Sequence, residues 1–194
     1  MAKQSWKGST LLAPLPAVLV TSGDMEKSNI ITIGWTGILN TQPPKTYISV
    51  RKSRYSYEAI DKTGEFVINL TTADMVKKVD YCGIYTGRKV DKFKKCGFTK
   101  EEAKEVSPPL IAECPLALEC KVTDKIELGT HDMFIADIVA TDVDEKLINK
   151  DGKLNISKAN LMTYAHGEYF ALGKKLSGFG DSAKKKKKAP PKKK

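Results

Sequence analysis

Residues 31–60, ITIGWTGILNTQPPKTYISVRKSRYSYEAI, contain the pattern on which the fold prediction depends. Two runs rich in β-branched and aromatic residues flank the pair Pro43 and Pro44, which predicts two strands joined by a tight connection. The first run also contains Gly34 and Gly37, which weaken a strand but let a flat ligand approach its backbone closely. This strand pair is therefore predicted to line a binding site.

The second run ends in a group of cations and hydroxyls, RKSRYS (51–56), just where the next helix is predicted to begin. A helix N-terminus offers free N–H groups and a partial positive charge, so arginine and serine side chains beside it can complete a phosphate site. The alternative for this segment, taken alone, is a solvated strand end. The glycines of the preceding strand favour the binding site.

The 194 residues, 41% of them apolar, suffice for one well-filled domain, which we place at residues 1–180. The net charge of +10 is concentrated in residues 181–194, which hold eight lysines and one aspartate and leave only about +3 for the rest. This tail is predicted to be disordered. It also suggests an alternative function, a small β-barrel that binds nucleic acid nonspecifically through the tail.

The sequence contains no motif of a P-loop, a Rossmann fold or a serine hydrolase. His131 and His166 are 35 residues apart, with no carboxylate at ligand spacing, so no metal site is predicted. The four cysteines match no zinc or redox spacing and are predicted to be buried, reduced thiols. With no apolar stretch long enough to cross a membrane, a cytoplasmic location without membrane association is expected.

Hydrophobic periodicity predicts about seven strands, with helices only in the middle of the chain. Strands that do not alternate regularly with helices favour a mainly β fold with helical insertions (α+β), namely an antiparallel barrel. Asp151–Gly152 is the strongest hairpin signal. The predicted strands include 17–23, 29–39, 46–50, 65–70, 116–122 and 131–148. The predicted helical segments are 53–64, 71–83 and 90–97, the first counted with its N-cap Ser53 and with Gly64 just past its end.

Several fragments together resemble the flavin reductase-like family of flavoredoxin type: NIITIGWTGILNTQPPKTYISVRKSRYSYEAI, GIYTGRKVDKFKKCGF, PPLIAECPLALECKV, LGTHDMFIADIVATDV and HGEYFALGKKLSGFG. Their order and spacing extend the resemblance over residues 10–180. It implies an FMN-binding split β-barrel with a Greek-key-like antiparallel arrangement, and a homodimer.

The resemblance also implies which residues bind FMN. Those expected along the isoalloxazine ring are Thr32, Gly34, Trp35, Thr36 and Gly37. Those expected along the ribityl chain and phosphate are Ser49, Val50, Arg51, Lys52, Ser53, Ser56 and Tyr57. Those expected in the segment that closes over the flavin, often from the partner subunit, are Thr86, Gly87 and Lys92, while the neighbouring Phe93 is expected in the core.

The resemblance implies electron or hydride transfer through the flavin N5, with no catalytic side chain. Exchange with another redox protein and NADH- or NADPH-dependent reduction of flavin or ferric iron are both compatible with it. His131, in GTHDMF, resembles a histidine of the NAD(P)H-dependent members, but Thr130 replaces the acidic residue before it. A hydrogen-bonded turn histidine is an equal alternative. His166 and Tyr169 are expected either at the flavin edge or in the packing of the last strand.

Overall fold

A curled, seven-stranded antiparallel sheet forms the body of the chain in a computed structural model, which describes residues 1–183. Two smaller sheets and three α-helices flank it. The strands are β1 (Leu15–Pro16), β2 (Val18–Gly23), β3 (Ser28–Ile33), β4 (Thr36–Thr41), β5 (Pro44–Val50), β6 (Glu65–Leu70), β7 (Lys100–Glu101), β8 (Leu110–Ile111), β9 (Leu116–Glu127), β10 (Asp132–Val143), β11 (Met162–Ala165) and β12 (Glu168–Ala171). The helices are α1 (Tyr55–Thr63), α2 (Val76–Ile84) and α3 (Lys92–Cys96).

The large sheet has the order β3-β2-β6-β9-β10-β5-β4, so consecutive strands β3 and β4 form its opposite edges. The chain crosses from one edge to the other through Gly34 and Trp35, and the Trp35 carbonyl accepts a 3.0 Å hydrogen bond from the Ser49 N–H on β5. Within residues 1–183 the two edges are not paired as strands, so the barrel stays split there. The predicted split barrel is confirmed, but the single strand predicted over 29–39 is wrong.

The side chains of β2 and β3 alternate between two hydrophobic clusters because both faces of these strands are covered. Val18, Val20 and Ile31 point into the barrel, where they pack with Phe66 and other buried residues. Leu19 and Ile30 point to the opposite face and pack against α2 and α3. Phe93 is buried in the same outer cluster, as predicted. The outer cluster fixes the position of these helices over β3.

Local capping signals set several helix ends. Gly64 ends α1 with φ 67°, and Gly97 ends α3 with φ 60°, the left-handed conformation that glycine adopts readily. The Asp91 carboxylate accepts the Lys94 N–H at 3.1 Å and caps α3, as predicted. The N-cap predicted at Ser53 is wrong by one residue, because the N-cap position is Arg54, which has no side-chain cap.

The second half of the chain is richer in turns than predicted. The strand expected to reach residue 148 ends at Val143 and is followed by a single 3-10 turn, Glu145–Leu147. The Asp151–Gly152 turn closes only an isolated bridge between Ile148 and Leu154. The small sheet β1-β11-β12, in contrast, brings two tyrosines toward the edge of the barrel.

The cysteines agree with the prediction: all four are free, Cys82, Cys96 and Cys120 are buried, and Cys114 is partly buried. Within residues 1–183 no helix is long and apolar enough to cross a membrane. The first residues of the predicted disordered tail, Asp181–Ala183, form a 3-10 turn. Its remaining residues, 184–194, lie outside the described part of the chain.

Candidate functional site

A cavity of about 310 Å³ opens where the split of the barrel faces α2. One wall is the end of β3 with the Gly34–Trp35 link, and the next wall is the end of β5. The opposite wall comes from α2 and from two tyrosines of the β11–β12 hairpin. The residues lining this first cavity are Leu15, Ala17, Ile31, Thr32, Ile33, Gly34, Trp35, Ser49, Val50, Arg51, Arg54, Asp80, Gly83, Ile84, His131, Tyr164 and Tyr169.

Thr32 and Gly83 set the distance between β3 and α2. The Thr32 hydroxyl donates to the Val79 carbonyl at 2.5 Å. A Cβ at Gly83 would come within 3.3 Å of the Thr32 Cβ, which is tighter than an ordinary contact, so the missing side chain at residue 83 favours this close packing. The cavity is therefore held between a strand and a helix that are tied together.

Trp35 and His131 form an aromatic pair at the first cavity, with ring centroids 4.6 Å apart and planes inclined by 40°. The Arg51 Nε lies 3.4 Å from the His131 Nε2, and the Thr130 hydroxyl lies 3.0 Å from Nδ1. Burial and the charges of Arg51 and Arg54 lower the pKa of His131. The neutral imidazole can then accept from Arg51 at Nε2 and donate from Nδ1 to Thr130.

On the opposite wall, the Tyr169 hydroxyl donates to the Asp80 carboxylate at 3.3 Å, which connects β12 to α2. Tyr164 packs edge-to-face on Tyr169, with centroids 5.4 Å apart. Burial and the neighbouring Asp80 raise the pKa of Tyr169 to about 12, so the phenol stays protonated at neutral pH. This wall is aromatic and uncharged apart from Asp80.

A second cavity, of about 330 Å³, adjoins the first and shares Ile31, Arg51, Arg54 and Gly83 with it. Its walls are rich in cations and hydroxyls, in contrast to the aromatic first cavity. The Arg54 Nη1 donates to the Gly83 carbonyl at 3.3 Å, which places this guanidinium between the two cavities. The remaining lining residues are Asn29, Ser53, Tyr55, Ser56, Cys82, Tyr85, Thr86, Gly87 and Lys92.

The N-terminus of α1 lies at the second cavity, since Arg54, Tyr55 and Ser56 all line it. The first-turn N–H groups of Tyr55 and Ser56 have no hydrogen-bond partner in the described part of the chain. Unpaired N–H groups at a helix N-terminus attract anions. Together with the two arginines, they make this cavity suited to a phosphate or another compact anion.

Lys92 is buried, and its Nζ donates to the carbonyls of Ile30 and Cys82, each at 2.7 Å. An ammonium group has three protons, so one remains for a ligand in the second cavity. Burial lowers the pKa of Lys92 to about 8, so the amine is partly neutral just above physiological pH. An anion placed beside it would favour the charged form.

Gly87 is held against the start of α1 by close packing. A Cβ at this position would lie 2.2 Å from the Asn29 Oδ1 and 2.5 Å from the Tyr55 ring. Asn29 in turn donates from Nδ2 to the Ser56 Oγ at 2.8 Å. The Thr86–Gly87 loop therefore forms a fitted wall of the second cavity.

The structure brings eleven of the fifteen predicted binding residues to these cavities. Thr32, Gly34, Trp35, Ser49 and Val50 line the first, Ser53, Ser56, Thr86, Gly87 and Lys92 line the second, and Arg51 lines both.

The other four predicted residues line neither cavity. Lys52 pairs with Glu127 at 3.1 Å and with the buried Asp132 at 3.5 Å, and the Tyr57 hydroxyl donates to the same Asp132 carboxylate. The Thr36 hydroxyl donates to the Tyr47 backbone carbonyl, and Gly37 lies under the Tyr47 ring. These contacts account for all four residues without a ligand.

Arg54 lines both cavities and belongs to the segment 51–56 predicted to form a phosphate site. The sequence did not predict cavity-lining roles for Asn29 and Asp80, which carry no local signal. Tyr169 and His131 both line the first cavity, but Tyr169 also packs on Tyr164 and His131 also has hydrogen-bond partners, so both alternatives stay open for each residue. His166 is in the turn between β11 and β12, with φ 47°, and lines neither cavity.

Comparison with known proteins gives consistent matches over the part of the chain that forms both cavities. Residues 11–173 match the model of the flavin reductase like domain. The flavoredoxin of Desulfovibrio vulgaris (Miyazaki F) is 35% identical with a TM-score of 0.87, covering 94% of this chain and 100% of that one. The flavoredoxin from Methanosarcina acetivorans is 30% identical with a TM-score of 0.84 and the same coverage. A protein of Archaeoglobus fulgidus is 34% identical over 159 residues, 82% of this chain and 88% of the relative.

Proposed function

This chain belongs to the flavin reductase like domain family, and on that basis we propose that it is an FMN-binding electron-transfer protein of flavoredoxin type. The observation that carries the proposal is the pair of adjoining cavities, one aromatic and one cationic. FMN has a flat ring at one end and a phosphate monoester at the other. The two cavities offer matching surroundings for both ends.

The proposed orientation places the ring in the first cavity and the phosphate in the second. Gly34 leaves the backbone open on the ring side, where a missing side chain lets a flat group approach. Arg51, Arg54 and the free N–H groups of α1 then face the phosphate. When bound, FMN supplies the redox chemistry at its N5, while the protein supplies binding, orientation and electrostatics.

We place the electron exchange with another redox protein rather than with NAD(P)H because of residue 130. Thr130 occupies the position where the NAD(P)H-dependent members of the family have an acidic residue. Its hydroxyl lies within hydrogen-bond distance of the His131 Nδ1, at 3.0 Å. His131 is consequently held as a neutral partner of Arg51 and Trp35. In this arrangement it helps to fix Arg51 at the boundary of the two cavities.

An NADH- or NADPH-dependent flavin or ferric reductase is the second candidate, and the position of His131 in the wall of the first cavity favours it. Anaerobic addition of NADH or NADPH to the FMN-loaded protein distinguishes the two. Visible absorbance that persists for minutes supports exchange with a protein partner. Bleaching within seconds would make the reductase the correct assignment.

We also propose a homodimer, as the family resemblance implies. Ile38 and Leu39 on the edge strand β4 are exposed, as are Phe170 and Leu172 at the end of the β11–β12 hairpin. Exposed apolar groups of this kind are typical of a surface that a partner covers. These side chains are the proposed contact between two copies.

A further inference from the structure

Positive charge is concentrated around α2 and α3 far more than in the rest of the described chain. The whole chain carries +10, and eight of its lysines lie in residues 184–194, so residues 1–183 carry +2. Residues 77–100 contain eight lysines and arginines against Asp80 and Asp91, a net +6. The rest of residues 1–183 is therefore net negative, and the molecule has a marked charge asymmetry.

The exposed cations of this segment are not neutralised internally. Within residues 1–183, Lys77, Arg88 and Lys89 form no ion pair with a carboxylate. The two aspartates of the segment are engaged elsewhere, Asp91 in capping α3 and Asp80 in accepting from Tyr169. Unpaired like charges raise the local potential, which is unfavourable for the isolated fold but attracts an anionic partner.

Apolar groups lie among these cations. Ile84 is 65% exposed and Tyr85 is 51% exposed, and the Tyr85 ring stacks on Tyr81 with centroids 4.2 Å apart. Lys77, Tyr81 and Ile84 are spaced by four and three residues, which places them on one side of α2. Exposed aliphatic and aromatic side chains surrounded by charge resemble the centre and rim of a protein interface.

This surface also adjoins both cavities. Ile84 lines the first cavity and Tyr85 lines the second. A protein seated on it would therefore contact the walls of the site without having to enter it. We call Lys77 and Ile84 of α2, together with Tyr85, Arg88 and Lys89 of the loop that follows it, the α2 face.

We propose that the α2 face is the docking surface for an acidic redox protein, an inference that rests on the proposed electron-transfer function. Charge complementarity identifies the occupant, because the α2 face presents three exposed cations, Lys77, Arg88 and Lys89, and no carboxylate, which selects an anionic surface and speeds its encounter. A second copy of this chain using the same face would oppose two positive segments across a two-fold axis. The dimer contact is accordingly placed elsewhere, at β4 and the β11–β12 hairpin.

The test uses the FMN-loaded full chain and a plant-type [2Fe–2S] ferredoxin as the acidic probe, with cytochrome c as the basic counterpart. The variant Lys77→Glu/Lys89→Glu reverses two charges of the α2 face. The control Lys146→Glu/Lys150→Glu makes the same change in net charge on the exposed segment after β10. Binding is measured by calorimetry at 20 and 200 mM salt.

The expected result is that ferredoxin binds the unaltered chain, and that the α2-face variant loses at least tenfold in affinity while the control changes by less than twofold. Affinity should fall steeply between the two salt concentrations, and cytochrome c should not bind the α2 face. Equal losses in both variants, or no loss in either, would overturn the proposal. Duplex DNA is titrated in the same way. If the α2-face variant lost affinity for DNA but not for ferredoxin, the α2 face would be assigned to nucleic acid instead.

Quenching of FMN fluorescence by the unaltered chain and by both variants distinguishes failure of the docking proposal from failure of the proposed FMN-binding function. Lys77 and Lys89 line neither cavity, so FMN affinity should be unchanged in the α2-face variant. If the unaltered chain fails to bind FMN, the proposed function is wrong, whatever the ferredoxin measurement gives. If FMN binds normally and the α2 face is indifferent to ferredoxin, only the docking proposal fails.

Discussion

Replacing Arg51 with alanine should weaken the binding of FMN while leaving that of riboflavin almost unchanged. Arg51 lines both cavities and lies at the end of β5, next to the start of α1. The adjacent Lys52 provides a matched control, because it has the same charge but is paired with Glu127 and lines neither cavity. Both substitutions remove one positive charge, so their long-range electrostatic effects are similar.

The expected magnitude follows from the type of contact. A hydrogen bond to a charged group contributes about 1.5–3 kcal/mol, and about 1.4 kcal/mol corresponds to a factor of ten in affinity. Arg51→Ala should therefore weaken FMN binding by about tenfold to a hundredfold. Ser53→Ala should cost less, near the lower end of this range, because only the phosphate and not the hydroxyl donor is charged. Lys52→Ala should change the affinity by less than about threefold, because Lys52 and its ion-pair partners, Glu127 and Asp132, line neither cavity.

The assay is quenching of flavin fluorescence, with FMN and riboflavin titrated against each variant. Riboflavin has no phosphate, so the ratio of the two affinities isolates the phosphate contact from general damage to the fold. Equal losses for FMN and riboflavin in Arg51→Ala would show that Arg51 supports the fold or the ring site instead. A larger ratio change in Lys52→Ala than in Arg51→Ala would refute the assignment of the second cavity to phosphate.

Three further predictions follow from the same geometry. Gly87→Ala, whose Cβ would lie 2.2 Å from the Asn29 Oδ1, should lower the thermal midpoint and the FMN affinity, whereas Gly173→Ala, with nothing within 4 Å, should change neither. Equal effects of the two substitutions would contradict the close packing of the Thr86–Gly87 loop. Burial lowers the pKa of Lys92 to about 8, so its charge is lost as pH rises through 8. FMN affinity should therefore fall from pH 7 to 9 while riboflavin affinity stays level, and Lys92→Met should abolish the pH dependence of FMN affinity. Light scattering should give about twice the chain mass of 21.4 kDa, and a mass near 21.4 kDa at saturating FMN would exclude the dimer.

Features set by neighbouring residues could be predicted from the sequence. Gly64 and Gly97 end α1 and α3 where a left-handed residue is needed, and Asp91 caps α3 through its own first turn. The end of β5 and the start of α1 adjoin in sequence, so the cluster of Arg51 and Ser53 at one cavity could also be anticipated. In each case the interacting groups lie within a few residues of one another.

Features that depend on distant partners could not be predicted. Residues 29–39 have strand character throughout, and only closure of the barrel separates β3 from β4 and places them at opposite edges. Lys52 is adjacent to Arg51, but its charge is taken by Glu127, which lies 75 residues away in the sequence. Asn29 and Asp80 reach the cavities through packing of β3 against the helices, for which no local pattern exists.

The central claim is that one chain binds one FMN through an aromatic cavity and a cationic cavity. A fluorescence titration of FMN with the purified, flavin-free protein at micromolar concentration tests this claim most directly. We expect saturable quenching with a stoichiometry of about one FMN per chain, and weaker binding of riboflavin, which cannot engage the cationic cavity. FMN fluorescence that remains unquenched at micromolar protein would contradict it.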